Sequence, residues 1–298
     1  MNRTTLEQWR MLKAVVDHGG FAQAAQAVHK SQSTINHAVH KLQDQLGLPL
    51  LEVQGRKARL TEAGALMLRR AELLLDEVAQ LEDVAASLAA GTEAEVRLAV
   101  DEIYPHGYLA DALQAFSRNF PNTRVQLQET VLSGGAEQLL AGQVDLLVTA
   151  DVPQGFVGEP LLRAEFIAVA NPGHPLHRLG RELTMQDLRQ HRQIVIRDSA
   201  RGNRRDAGWL GAEQRWTVSH VATSADMIAR GMGFAWLPLS RVQAGMRAGT
   251  LAELPLGPAS RRYSELHLVY ADAGGVGPAL RQLGTLLGEA CQDYPKDT

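Results

Sequence analysis

The sequence predicts an α/β protein in three consecutive parts: a small helical head, one long helix, and a body in which strands and helices alternate. Three observations predict it. In the head, apolar residues recur three and four apart in separate short runs. Residues 62–90 hold one unbroken helical pattern. From Ala94 onward, strand-like runs alternate with helical ones, the rhythm of a sheet with parallel strands covered by helices. A chain of 298 residues has room for two or three domains, and 45% hydrophobic residues can furnish their cores.

The first run, Leu6, Trp9, Leu12 and Val16, predicts an amphipathic helix. Phe21, Ala24, Ala25 and Val28 fall at i, i+3, i+4 and i+7, so a second helix buries that stripe. Ser31 is a good N-cap for a third, in which Ile35, Val39, Leu42 and Leu46 recur at helical spacing and which Gly47 ends. Its opposite face carries Gln32, Ser33, Thr34, Asn36, His37, His40 and Lys41. Such hydrogen-bonding groups read base edges and phosphates. Two helices so joined are a helix-turn-helix, whose second helix enters the major groove. A helical hairpin with a merely solvated face fits the same residues, and the flanks shift the balance. Leu48-Pro49-Leu50-Leu51-Glu52-Val53, then Gln54-Gly55, then Arg56-Lys57-Ala58-Arg59-Leu60 make a short hairpin with a basic second strand, as in the wing of a winged helix.

The residues Gly20-Phe21, Ala24-Ala25, Ser31-Gln32-Ser33, Leu42, Leu46-Gly47, Pro49-Leu50-Leu51, Gly55-Arg56 and Leu60-Thr61-Glu62-Ala63-Gly64 together resemble the N-terminus of LysR-type transcriptional regulators. The family usually has Pro at Ser33, Phe at Leu51 and Arg at Val53; these departures bear on operator sequence and affinity, not on the fold. The resemblance implies a winged helix-turn-helix over 1–60, a linker and dimerisation helix over 61–92, and an effector-binding domain over 93–298. That domain would have two α/β lobes, like a periplasmic solute-binding protein, with lobe one at 93–163 and 268–298 and lobe two at 164–267. The implied partners are double-stranded operator DNA, a small-molecule effector and further copies of the chain, paired as a dimer or a dimer of dimers. The resemblance also leaves room for RNA polymerase. The expected DNA contacts are Gln32, Ser33, Thr34, Asn36, His37 and Lys41 from the helix, with Arg56, Lys57 and Arg59 from the wing.

Thr61 can cap the long helix and Gly91 closes it. Met67, Leu74, Leu81 and Leu88 lie seven apart, with Ala71, Val78 and Ala85 four after the first three. A helix packed on its own domain also has an apolar face. A seven-residue repeat beside a DNA-binding head favours pairing of two chains, with Met67, Leu74, Val78, Leu81 and Leu88 in the seam. Charge agrees. Residues 1–64 carry eight Lys and Arg against five acids, a net +3, which leaves −6 on the remainder and −3 overall. A basic head on an acidic body suits local DNA contact, and so modest a charge argues for two heads acting together.

In the body, the pattern predicts strands around residues 96–100, 125–129, 145–149, 166–170, 193–197, 216–220, 234–237 and 264–270, with a final helix from Pro278. Ligands of open α/β sheets sit at the carboxyl ends of strands, beside helix N-termini. Asp101, Glu102, Tyr104, Thr130, Arg197 and Thr223 lie at or beside such ends, and Trp236 lies near one. These seven are the candidate effector-binding residues, although strand-end groups also cap helices, a role that Thr223 fits as well. Two adjacent acids would repel an anion unless Arg197 or Arg201 neutralised them. Asp101 and Glu102 therefore point to a cationic or donor-rich effector, or else pair with those arginines and hold the lobes together.

Several function classes find no support. There is no Gly-x-Ser-x-Gly, cysteine cluster, paired-histidine metal motif or Walker loop, so neither an enzyme nor a cofactor is expected. His37 and His40 stand three apart without a third ligand nearby, and no metal site is expected. The single cysteine, Cys291, cannot form an internal disulfide, which fits a reducing cytoplasm. No apolar run has the length of a membrane span, and the N-terminus leads into an amphipathic helix rather than a signal peptide. The expectation is a cytoplasmic regulator. Two readings stand beside it: a small-molecule-binding protein acting through a protein partner, and an uncharacterised enzyme in the α/β domain.

Overall fold

The computed structural model describes residues 3–54, 57–202 and 204–291, with the backbone alone at 53, 54 and 57. Two compact units divide between Ala90 and Gly91. The first opens with α1 (Leu6–Asp17), capped by Thr5. Its core face is Trp9, Met11, Leu12 and Val15, rotated from the expected stripe, so that Leu6 is exposed and Val16 half-buried. The buried Gln8 helps to set that rotation: its amide donates to Gln45 Oε1 at 2.9 Å and ties α1 to the third helix. Next come α2 (Phe21–Ala27) and α3 (Gln32–Leu46). Ala24, Ala25, Ile35, Val39 and Leu42 are buried in one core, as their spacing predicts. The Ser31 hydroxyl accepts from Thr34 N at 3.1 Å, and Gly47, at φ +68°, ends α3 in the left-handed region.

The wing is an antiparallel pair, β1 (Leu51–Gln54) and β2 (Lys57–Leu60), with Leu51 opposite Leu60. Gln43 of α3 anchors it by accepting from Leu50 N at 2.8 Å and Leu51 N at 3.1 Å. Then α4 (Glu62–Ala89) begins at Thr61, whose hydroxyl accepts from Gly64 N at 2.9 Å and donates to Pro49 O at 2.7 Å. A Cβ on Gly64 would lie 2.0 Å from Leu50 O, so the helix meets the hairpin as closely as it does only because residue 64 lacks one. Along α4, Leu68, Ala71 and Leu75 are buried against the head, while Leu74, Leu81 and Leu88 are 58%, 68% and 49% exposed.

In the second unit, β3 (Glu95–Asp101), α5 (His106–Asn119), β4 (Arg124–Thr130), α6 (Gly134–Leu140) and β5 (Leu146–Thr149) form the first lobe. A long strand β6 (Gly158–Ala170) leads out of it. The second lobe holds α7 (Met185–Arg189), β7 (Gln193–Ile196), β8 (Arg215–Val218), α8 (Val221–Ala229), β9 (Phe234–Pro238), α9 (Leu239–Arg247) and β10 (Ala252–Glu253). A second long strand, β11 (Arg261–Tyr270), returns to α10 (Pro278–Glu289). Among the described residues one sheet has the order β4-β3-β5-β11-β6-β9-β7-β8, with β10 beside β6. One core gathers Val100, Phe116, Val148, Leu268, Leu283 and Leu287; separate ones gather Ile167, Ile194, Ile228 and Leu237, and Ala168, Leu188, Phe234 and Leu254.

The sheet is mixed rather than parallel. β3 runs parallel to β4 and β5, and β7 to β8 and β9, but β6 and β11 are antiparallel to each other and to the flanking strands. Both long strands also begin earlier than their apolar patterns suggest, at Gly158 and Arg261. Their first halves are polar, and each is held by the later part of the other strand, Gly158 opposite Val269 and Arg261 opposite Ile167. Arg261 pairs with Glu165 at 2.5 Å, and the Arg163 guanidinium lies 3.8 Å from the Tyr263 ring centre. Among the described residues no helix is long and apolar enough to cross a membrane.

Candidate functional site

Two faces carry groups that the fold does not consume. On the head, Gln32, Ser33, Thr34, Asn36, His37, His40 and Lys41 are all exposed along α3, opposite Ile35, Val39 and Leu42. Ser33 and Thr34 are partly engaged, since both hydroxyls share hydrogen bonds with Ser31 Oγ, at 2.8 and 2.7 Å. Asn36, His37 and Lys41 have no such tie among the described residues. Arg59 is exposed on β2. Arg56 lies outside the described residues, as does the side chain of Lys57.

The second site is a cavity of about 290 Å³ where the crossing strands meet both lobes. Its walls are mainly apolar and aromatic, from Ile103, Val131, Phe166, Ile194, Trp209 and Trp236, and its polar lining includes Asp101, Glu102, Gln193 and Arg262. Hydrogen bonds between the lobes flank it on two sides. Glu102 reaches from the end of β3 to the start of α8, where its carboxylate accepts from Val221 N and from His220 Nδ1, both at 2.6 Å. Arg241 of α9 donates to the Glu102 carbonyl through Nε and Nη2 at 3.1 Å each, and lies 3.6 Å from Glu129. On the other side Ser199 N donates to Val131 O at 3.2 Å, Val131 N donates to Ser199 Oγ at 2.9 Å, and Arg201 N donates to Glu137 at 2.6 Å.

The two acids that open the cavity are thus accounted for within it. Asp101 is buried and accepts from Ile103 N at 3.1 Å; burial pushes its carboxyl up to about 7. Glu102 is paired across the lobes. Neither meets Arg197 or Arg201, so the neutralising pairs that the sequence suggests do not form; the partners of these acids are the backbone N–H groups of Ile103 and Val221 and the His220 ring. Arg262 is the cation of the cavity. Its guanidinium lies 4.2 Å from the Trp236 ring centre and pairs with no carboxylate among the described residues. Burial lowers its pKa. Gly208, at φ +76°, makes room for it, because a Cβ there would stand 2.6 Å from Nη1.

Of the seven residues expected to bind effector, Asp101, Glu102 and Trp236 line the cavity. Tyr104 does not. The chain turns back after β3, with Tyr104 N bonded to Asp101 O at 2.9 Å, and the ring enters the core of the first lobe, where its hydroxyl donates to Leu287 O at 2.8 Å. Thr130 is buried outside the lining, with its carbonyl accepting from Glu102 N at 2.8 Å. Arg197 belongs to a separate polar depression with Arg204, Arg205 and Arg215. Thr223 is exposed on α8, away from the cavity wall. Sequence reasoning missed Phe166, Gln193, Trp209 and Arg262. Strand alternation around Phe166 and Arg262, which are paired in register, was the available signal.

A family model described as bacterial regulatory helix-turn-helix protein, lysR family, matches residues 6–65, and one described as LysR substrate binding domain matches residues 89–292. The chain belongs to the LysR family of transcriptional regulators. A relative in Escherichia coli K12, named uncharacterized HTH-type transcriptional regulator YeeY, is 30% identical over 260 residues, covering 83% of this chain and 82% of its own. CrgA, a LysR-type transcriptional regulator from Neisseria meningitidis, shares the fold with a TM-score of 0.54 at 23% identity, over 96% of this chain and 99% of its own. So does full-length LysG from Corynebacterium glutamicum, with bound effector Arg, at a TM-score of 0.52 and 17% identity, over 97% and 98% of the two chains. This LysR-type regulator thus joins a helix-turn-helix head to a substrate-binding domain.

Proposed function

We propose that this LysR-type regulator binds operator DNA through paired heads and that a small molecule in the cavity between its lobes sets the affinity or bend of that complex. The observation that carries the reading is the cavity itself. It is lined by both lobes and flanked by the Glu102–His220–Val221 and Ser199–Val131 bonds, so an occupant touches the same elements that hold the lobes together. A ligand that favours one arrangement of the lobes shifts its population in proportion to its differential affinity, and couplings of this kind are about 1–3 kcal/mol. LysG with its bound effector supports a ligand-binding role for a domain of this fold.

In the head, α3 enters the major groove with Gln32, Ser33, Asn36, His37 and Lys41 toward the bases and phosphates, Thr34 staying close to the Ser31 cap. The wing, with Arg59 and also Arg56 and Lys57, contacts the backbone or the neighbouring minor groove. Met67, Leu74, Val78, Leu81 and Leu88 pair two copies of α4. The domain limits at 60–61 and 92–93, the lobe crossings near 163–164 and 267–268, a cytoplasmic location and contact with RNA polymerase complete the reading. The α/β body serves binding rather than catalysis. The test is anisotropy of labelled DNA recovered with the protein from cells, titrated at several salt concentrations. Specific binding whose log affinity falls linearly with log salt supports the reading; equal affinity for that segment and for scrambled DNA removes it.

A further inference from the structure

The cavity lining has a chemistry that selects a ligand class, and the inference drawn from it rests on the effector reading above. Arg262 is half-buried, stacked on Trp236 and free of any carboxylate partner among the described residues. A guanidinium taken partly out of water without a counter-charge is unfavourable, and a planar anion relieves it with two parallel hydrogen bonds. The two acids in the lining do not compete for it. Glu102 is occupied by His220 and Val221 N, and Asp101 by Ile103 N.

Gln193 adds an independent observation. It is 95% buried and lines the cavity; its Nε2 donates to Trp209 O at 2.7 Å, while its Oε1 has no partner. That oxygen is enclosed as well as unpaired, at a cost of about 1–3 kcal/mol, so a ligand that brings an O–H or N–H donor is favoured by drawing the side chain toward the cavity. Between these polar points stand Trp209, Trp236 and Phe166, whose faces suit a flat ring. At about 290 Å³ the cavity suits a single-ring compound better than a nucleotide or a peptide.

We infer that the ligand is a compact aromatic monoanion carrying a hydroxyl or amino donor, with its anionic group on Arg262 and its donor on Gln193 Oε1. The probes are the ortho, meta and para hydroxybenzoates, the matching hydroxybenzamides, which are neutral, and the matching hydroxybenzylamines, which are cationic. Thermal unfolding of the full chain is followed with each at millimolar concentration. At least one hydroxybenzoate raises Tm by several degrees, and its amide and amine do not. Arg262→Met, which keeps an apolar stem against Trp236, loses that rise; Arg262→Lys, which keeps the charge, retains part of it and controls for misfolding. Unsubstituted benzoate, lacking the donor, gives a smaller shift than the hydroxybenzoate. The inference is overturned if an amide or amine stabilises as much as the acid, if none of the compounds stabilises, or if Arg262→Met keeps the rise. The same samples are then titrated onto the recovered DNA segment. A hydroxybenzoate that binds through Arg262 but leaves DNA affinity unchanged upholds the ligand class and removes the switch.

Discussion

Asp101 gives the clearest prediction at the scale of one residue. Burial is the main cause that pushes its carboxyl up to about 7. An unfolded Asp titrates near about 4. Between those values the folded state holds a proton that the unfolded chain has released, so stability falls as pH rises through this window and the loss is complete above it. Asp101→Asn removes the titration. Its unfolding temperature relative to the natural protein is therefore highest near pH 8, by an amount worth roughly 2–4 kcal/mol, and lowest near pH 4. A pH-independent difference contradicts this account of the carboxyl. On the head, Asn36→Ala or His37→Ala relaxes base preference and costs about 1–3 kcal/mol on the preferred sequence, whereas Arg59→Ala weakens all sequences alike and flattens the salt slope. Binding curves on the preferred and scrambled segments at two salt concentrations separate the two kinds of contact.

Among the elements, α4 shows how a helix serves two ends with two faces. Near its start, Gly64→Ala puts a methyl into the Leu50 carbonyl, and a loss of about 1–3 kcal/mol in chemical denaturation is expected. Farther on, Leu74, Leu81 and Leu88 stand exposed with nothing of their own unit to cover them. Leu81→Asp places a charge in that seam, and sedimentation at micromolar concentration should show a dimer or larger species for the natural chain and a monomer for the variant. A natural chain that sediments as a monomer removes the seam. Elements like α3 and α4 were legible because a helix with one buried face writes a 3.6-residue period into the sequence. Elements like β6 and β11 were only half legible. Their polar first halves are strands because each pairs with the later part of the other, Gly158 with Val269 and Arg261 with Ile167, and pairing between residues about a hundred apart leaves no local pattern. The cavity shares that difficulty. Asp101, Glu102 and Trp236 advertise themselves as strand-end groups, but Arg262 and Gln193 become neighbours of one space only through the crossing of the two long strands.

At the scale of the whole molecule, the proposed regulation rests on coupling between an occupied cavity and a bound operator. Glu102 and Ser199 each link the lobes by hydrogen bonds beside the cavity, and under the proposed function a ligand there would bias how firmly those links are held. Glu102→Gln keeps the size of the side chain and removes its charge, which weakens the hold on His220 and the N-terminus of α8. Basal operator binding should persist in that variant while the response to ligand is reduced. Linkage then fixes the most direct measurement. If ligand changes operator affinity by some factor, operator must change ligand affinity by the same factor. Calorimetric titration of a cavity ligand into the full chain, alone and saturated with operator DNA, should give dissociation constants that differ by about 5- to 150-fold, matching the change in operator affinity produced by the ligand. Identical constants in the two titrations, with the cavity demonstrably filled, would contradict the account.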